Sequence, residues 1–118
     1  MVNGPDSRVA LARAKARLDR LTLYDRPVSI DRVVILCPAW LFRLPWFRRF
    51  DGYTMWNLIL LRSPALVADE QLVCHELCHV WQMQHRPLLM PLSYLRYGYA
   101  GNPYEAEARR AAAADVTR

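Results

Sequence analysis

The sequence predicts an α+β fold in a single domain over residues 1–118. Three observations point there. Apolar residues recur at helical spacing over 7–23 and 70–86, β-branched apolar runs occupy parts of 28–61, and Asn102-Pro103 opens an alanine-rich tail. With 53% hydrophobic residues in 118, the chain is long enough to bury a core of its own. The expected architecture is an N-terminal helix, a small antiparallel or mixed sheet, a central helix and a C-terminal helix. No internal repeat is evident.

Over residues 7–23, Leu11, Ala14, Leu18 and Leu21 fall on one stripe, with Arg13, Lys15, Arg17 and Arg20 largely off it. Asp6 or Ser7 is the expected cap, and Pro27 closes the helical option downstream. Val28 to Leu36 then reads as a strand, strongest at Val33 to Leu36, and Pro38 stops it. The stretch 39–50 interleaves Trp40, Phe42, Trp46, Phe47 and Phe50 with Arg43, Arg48 and Arg49. The leading expectation is a loop that folds its aromatics back over the core. Contact with a membrane surface or a substrate is the alternative.

Asp51-Gly52 signals a turn, and Tyr53 to Leu61 reads as a second strand. With the first it would form an antiparallel hairpin or part of a larger sheet. Ser63-Pro64 breaks it. Asp69 is the expected cap of a helix over 70–86, which Pro87 stops. Pro87 to Gly101 reads as a packed loop with a turn of helix. Asn102 as cap and Pro103 at the first position open the last helix, expected over 103–115.

The net charge is +5, with ten basic and four acidic residues in 1–50 against six and seven in 51–118. A solvated arginine-rich face is the simplest reading, with attraction to anionic surfaces as the rival. No nucleic-acid motif accompanies it, so no specific nucleic-acid partner is expected. The sequence has no apolar run of membrane-spanning length and no visible secretory signal, which makes a cytoplasmic location the expectation. An odd cysteine count argues against a closed disulfide framework. Cys74 and Cys78 fall about 100° round the helix from its histidines, so both are expected to be small buried apolar residues.

The chemistry-bearing feature is His75-Glu76-Leu77-Cys78-His79. Two imidazoles four positions apart on a helix lie on one face, one turn apart, which is the spacing two ligands of one zinc ion need. Glu76 between them is placed to take a proton from an attacking water. These polar groups sit amid Leu72, Val73, Leu77, Val80 and Trp81, and burying ionisable groups is costly unless they are paired or bound to metal.

A catalytic zinc needs a third protein ligand. His85 follows His79 by six residues, but Gln82 stands where a chain-reversing glycine would be needed. On a continuous helix His85 lies about 9 Å along the axis from His79 and about 120° round it. Glu105 and Glu107 are separated by about 200° on the last helix, so at most one can face the metal. Glu105 has a rival role in a capping box with Asn102, and Glu107 as a solvated surface charge.

The run from His75 to Gln82, followed by Asn102-Pro103-Tyr104-Glu105-Ala106-Glu107-Ala108-Arg109, resembles small zincin metallopeptidases of the gluzincin type. The likeness covers roughly residues 70–110. It implies a compact zincin-like core with His75, His79 and Glu105 as metal ligands and Glu76 as the catalytic base. Arg109 stands where such proteins often carry an aspartate that supports a histidine ligand. The resemblance also implies a sheet edge beside the active-site helix that binds an extended peptide, with Tyr53 to Leu61 as the expected edge.

The expected function is therefore zinc-dependent peptide-bond hydrolysis acting on a peptide or protein substrate. Tyr94, Tyr97, Tyr99 and Arg109 are the candidates for steadying the oxyanion. The alternatives are a zincin-like binding or regulatory module without turnover, and an anionic-surface-binding protein using the arginine-rich half.

Overall fold

The computed structural model describes residues 4–113. Along the chain run α1 (Pro5–Asp19), β1 (Val34–Leu36), β2 (Gly52–Met55), β3 (Leu58–Leu61), α2 (Glu70–His85), α3 (Leu89–Tyr97) and α4 (Pro103–Ala113). Short 3-10 turns at Leu41–Arg43 and Pro64–Ala68 join them. This is the expected α+β class with a mixed sheet. The tail of the last predicted helix, residues 114–115, lies outside the described residues.

α2 is the centre of the molecule. Asp69 caps it by accepting from the Leu72 amide at 3.1 Å, as its sequence position predicts. Apolar groups cover most of it: Val73, Cys74, Leu77, Cys78, Val80 and Trp81 are buried against α1, α4 and the sheet. Cys74 and Cys78 are free thiols in that core, and burial pushes Cys74 up to about 11 and Cys78 higher still.

α1 buries the predicted Leu11, Ala14 and Leu18 but is offset from its expected range of 7–23. It begins at Pro5, with Gly4 rather than a side chain at the cap. It stops at Asp19, whose carboxylate binds both Lys15 Nζ (2.7 Å) and the Val28 amide (3.1 Å). Lys15 also donates to the Val28 carbonyl at 2.8 Å. Thr22 takes a positive φ of 48° in the reversal that follows. The same clamp explains why the first strand is shorter than predicted. Both backbone groups of Val28 are engaged by α1, and the ladder starts only at Val34.

The expected second strand is in fact two. Trp56, at φ 50°, breaks it, and β2 and β3 pair antiparallel across Trp56-Asn57 with Met55 opposite Leu58. The Trp56 amide donates to Met83 Sδ at 3.0 Å and its indole N–H to the Pro87 carbonyl at 3.2 Å, which hold this strained turn. β1 pairs with β3 in parallel, so of the two expected arrangements the larger, mixed sheet is the one formed, in the order β1-β3-β2. Parallel pairing requires a long crossover, which the aromatic segment and β2 supply.

β3 is buried on both faces, which accounts for its unbroken run Leu58-Ile59-Leu60-Leu61. Ile59 and Leu61 join the main core under α2. Leu60 joins a second cluster with Phe42 and Phe50, against which Phe47 and Tyr53 pack. The Arg62 guanidinium ties that aromatic segment down by donating to the carbonyls of Phe42, Arg48 and Phe50. The phenylalanines thus fold back as expected, while Trp40, Leu44 and Trp46 stay exposed.

α3 replaces the loop expected over Pro87 to Gly101. Pro91 is its third residue, within the first turn, where a helix makes no use of the backbone N–H. Gly98, at φ 68°, ends it. Asn102 Oδ1 accepts from the amides of Tyr104 (2.8 Å) and Glu105 (3.3 Å), the predicted cap of α4.

Candidate metal centre

Three side chains converge between α2 and α4. Glu105, 1% exposed, lies with Oε1 2.7 Å from His75 Nε2 and Oε2 3.0 Å from His79 Nε2. His75 and His79 are on one face of α2, their rings 4.9 Å apart. Glu105 sits on the first turn of α4, turned towards them rather than back to Asn102, so the capping-box alternative does not hold.

Among the described residues these three form a group able to hold a metal ion, with their ligand atoms within 4.8 Å of one another. The donor set fits a cation of zinc's type. Ligands about 2.0–2.2 Å from one ion in a tetrahedron lie roughly 3.3 Å apart. The contacts of Glu105 with His75 and His79, at 2.7 and 3.0 Å, are shorter than that spacing, and the set as a whole spans no more than 4.8 Å, so the three side chains bracket it.

The other two third-ligand candidates lie elsewhere. His85 stacks on Tyr24 with centroids 4.8 Å apart, and its Nδ1–H donates to the Trp81 carbonyl at 3.1 Å. Glu107 is not the solvated charge expected of it. It accepts from Tyr24 Oη at 2.6 Å and Gln82 Nε2 at 3.0 Å on the opposite side of α4.

The support that Arg109 called into question comes from Gln82. Its Oε1 accepts from His79 Nδ1 at 2.8 Å, and its Nε2 donates to the Tyr104 carbonyl at 2.8 Å. This orients the His79 ring and directs Nε2 at the centre, the role an outer partner plays at metal sites. The signal was present in the sequence as the i,i+3 spacing from His79.

Electrostatics tighten the cluster. Burial would raise the Glu105 carboxyl, but the hydrogen bonds with His75 and His79 outweigh it and hold it well below the usual carboxylate range. Burial likewise disfavours a charged His79. Its bonds to Glu105 and Gln82 and the charges of Glu105 and Glu76 prevail, and its pKa is raised above the usual histidine value. A cation at the centre would be held by the unprotonated Nε2 atoms and the Glu105 carboxylate.

Glu76 is buried beside the cluster. Thr54 Oγ1 donates to its Oε1 at 2.7 Å, which joins the edge strand β2 to the motif helix. Gly52 backs the same carboxylate. A Cβ there would come within 2.9 Å of Glu76 Oε2 and 3.1 Å of its Cγ, so an alanine would push the Glu76 side chain away from its place against β2. Sequence reading assigned Gly52 to a turn and passed over Thr54, because neither acts on its sequence neighbours.

A cleft of about 570 Å³ opens over these groups. β2 (Gly52 to Met55) lines one side and Met90, Pro91 and Tyr94 of α3 the other, with His75, Glu76, His79 and Glu105 at the base. β2 is the sheet edge here. The expected edge segment therefore divides, its second half becoming the central strand. Tyr94 and Tyr99 donate to Glu105 at 3.0 and 3.1 Å. Burial and the Glu105 charge push the Tyr99 phenol up to about 12 and Tyr94 further. Tyr97 is exposed outside the cleft. Arg109 lies 5.8 Å from the Tyr99 ring and lines an adjoining depression that shares His75 and Glu76.

No protein-family model, curated protein or solved structure matches this chain.

Proposed function

We propose that the protein is a zinc-dependent metallopeptidase in which His75, His79 and Glu105 hold the ion and Glu76 is the general base. The observation that carries this reading is the convergence of two imidazole Nε2 atoms and one buried carboxylate from two helices at the floor of an open cleft, with a second carboxylate beside them. Three protein ligands beneath an opening suit a catalytic site, whereas structural zinc is closed by four. The likeness of residues 70–110 to gluzincins supports the same assignment.

When bound, the ion would supply a Lewis acid that polarises the scissile carbonyl and makes water a stronger acid. The chain's own residues account for the rest. Glu76 accepts a proton from the attacking water and returns it to the leaving amine. Thr54 fixes Oε1 of that carboxylate, and Gln82 fixes the His79 ring. Tyr94 and Tyr99, which line the cleft and reach Glu105, would be the phenols that donate to the developing oxyanion. An extended peptide alongside β2 would lay its backbone across the base of the cleft.

The test is cleavage of an unfolded protein by purified chain of measured zinc content. A chelator is expected to stop the reaction. Glu76→Gln is expected to retain zinc and lower the rate by roughly 10²–10⁴-fold. Full turnover by a zinc-loaded Glu76→Gln protein would refute the assigned role. A second reading, a metal-holding binding module, is favoured by the engagement of Glu76 with Thr54. It predicts zinc retention by the wild type with no cleavage under any condition.

A further inference from the structure

The cleft is rimmed by apolar side chains that it does not use. α3 buries Met90 and turns Pro91 and Tyr94 inwards, but Leu88, Leu89, Leu92 and Leu95 stand exposed outside the cleft, Leu95 at 86%. Trp40 and Leu44, from the segment that closes the sheet's other face, are likewise exposed and outside it. Trp46 and Trp56 are exposed at the mouth itself. The two rims meet where Phe50 packs on Tyr99 at 5.0 Å. Scattered exposed leucines need no explanation, but three on one short helix with a fourth at its cap, together with three exposed tryptophans, do.

The two segments that carry most of them have charge of one sign, and exposed Asp51 just beyond the first is paired with Arg62 at 3.2 Å. Residues 37–50 and 86–104 contain Arg43, Arg48, Arg49, Arg86 and Arg96 and no aspartate or glutamate. A peptide in the cleft would leave the outward leucines in water. A second copy related by a two-fold axis would set this patch against itself, with five arginines a side and no carboxylate in either segment to pair with them. A surface that accepts leucine and tryptophan while presenting negative charge matches both features.

We propose that the cleft-bearing face docks on an anionic lipid surface, with the α3 leucines and the exposed tryptophans in the headgroup boundary and the five arginines on lipid phosphates. Tryptophan and arginine suit that boundary because each combines an apolar body with a polar or charged end.

The experiment is co-sedimentation of the full chain with phosphatidylcholine vesicles, with and without phosphatidylglycerol, at low and high salt. Binding is expected only to the anionic vesicles, with a blue shift of tryptophan emission, and salt should weaken it. Leu92→Ser combined with Leu95→Ser should lower the partition coefficient at least roughly tenfold. Arg43→Gln combined with Arg96→Gln should lower it about fivefold per arginine. The leucine pair is exposed, so circular dichroism should match the wild type. If that variant fails to fold, the arginine pair decides. No binding to anionic vesicles, binding undiminished in the folded variants, equal binding to neutral vesicles, or a dimer that the leucine variant dissociates would each overturn the proposal. None of these readouts involves hydrolysis, so its failure leaves the peptidase reading intact.

Discussion

Glu105 and Glu107 stand two residues apart on one helix and serve opposite sides of it. Glu105 meets two imidazoles and two phenols at the floor of the cleft. Glu107 meets Tyr24 and the Gln82 amide, away from the cleft. The first set can exchange a proton for a cation, whereas the second can only close a hydrogen-bond network. Gln82 touches both, holding His79 with its oxygen and Glu107 with its nitrogen. The face of α4 that a carboxylate occupies therefore decides whether it can serve as a metal ligand here, and the neighbouring one braces the Gln82 side chain behind His79.

The sharpest way to break this contrast is to remove each carboxylate in turn. Glu105→Ala should reduce bound metal to background in elemental analysis, while Glu107→Ala should leave it near the wild-type level. Equal loss in both variants would mean that the two sides of α4 are not separate. Next in size is Gly52→Ala, which moves Glu76 without touching a ligand. Metal should stay bound, and hydrolysis should fall on the order of a hundredfold, as expected for a misplaced reacting group. An unchanged rate would show that Glu76 does not need its place against β2.

Gln82→Ala tests the link between the two sides. Competition with a chromogenic chelator should show affinity weaker by roughly 10–100-fold, the usual effect of losing an outer-sphere partner of a ligand histidine. The smallest effect belongs to Tyr24→Phe. Losing one hydrogen bond to Glu107 should cost about 1 kcal/mol in urea denaturation, with metal content unchanged. A fall in metal content there would show that the support network reaches further than Gln82.

The same division runs through what could be read in advance. α2, its Asp69 cap, both imidazoles and Glu76 follow from spacing within one helix, where i and i+4 meet whatever the rest of the chain does. The Asn102-Pro103 opening of α4 is equally local. The turn of helix expected within Pro87 to Gly101 is a nine-residue helix, because Pro91 falls in its first turn, a place that spacing alone does not reveal. The long apolar segment before Pro64 was read as one strand, although Trp56 splits it. Nothing in its composition signals a positive φ at a tryptophan, a conformation held by Met83 and Pro87.

Glu105 was separated from Glu107 only by likeness to a motif, since helical spacing allows either to face α2. Its approach to His75 spans 30 residues of chain and depends on the packing angle of α4 against α2. Thr54 reaches Glu76 across 22 residues and Gln82 reaches Glu107 across 25, once the sheet and helices have closed on a shared core. Residue order thus sets the chemistry available on each helix, because bond geometry is short-ranged. Which groups meet, and at what distance, depends on side-chain packing between distant segments, and that has no local signature.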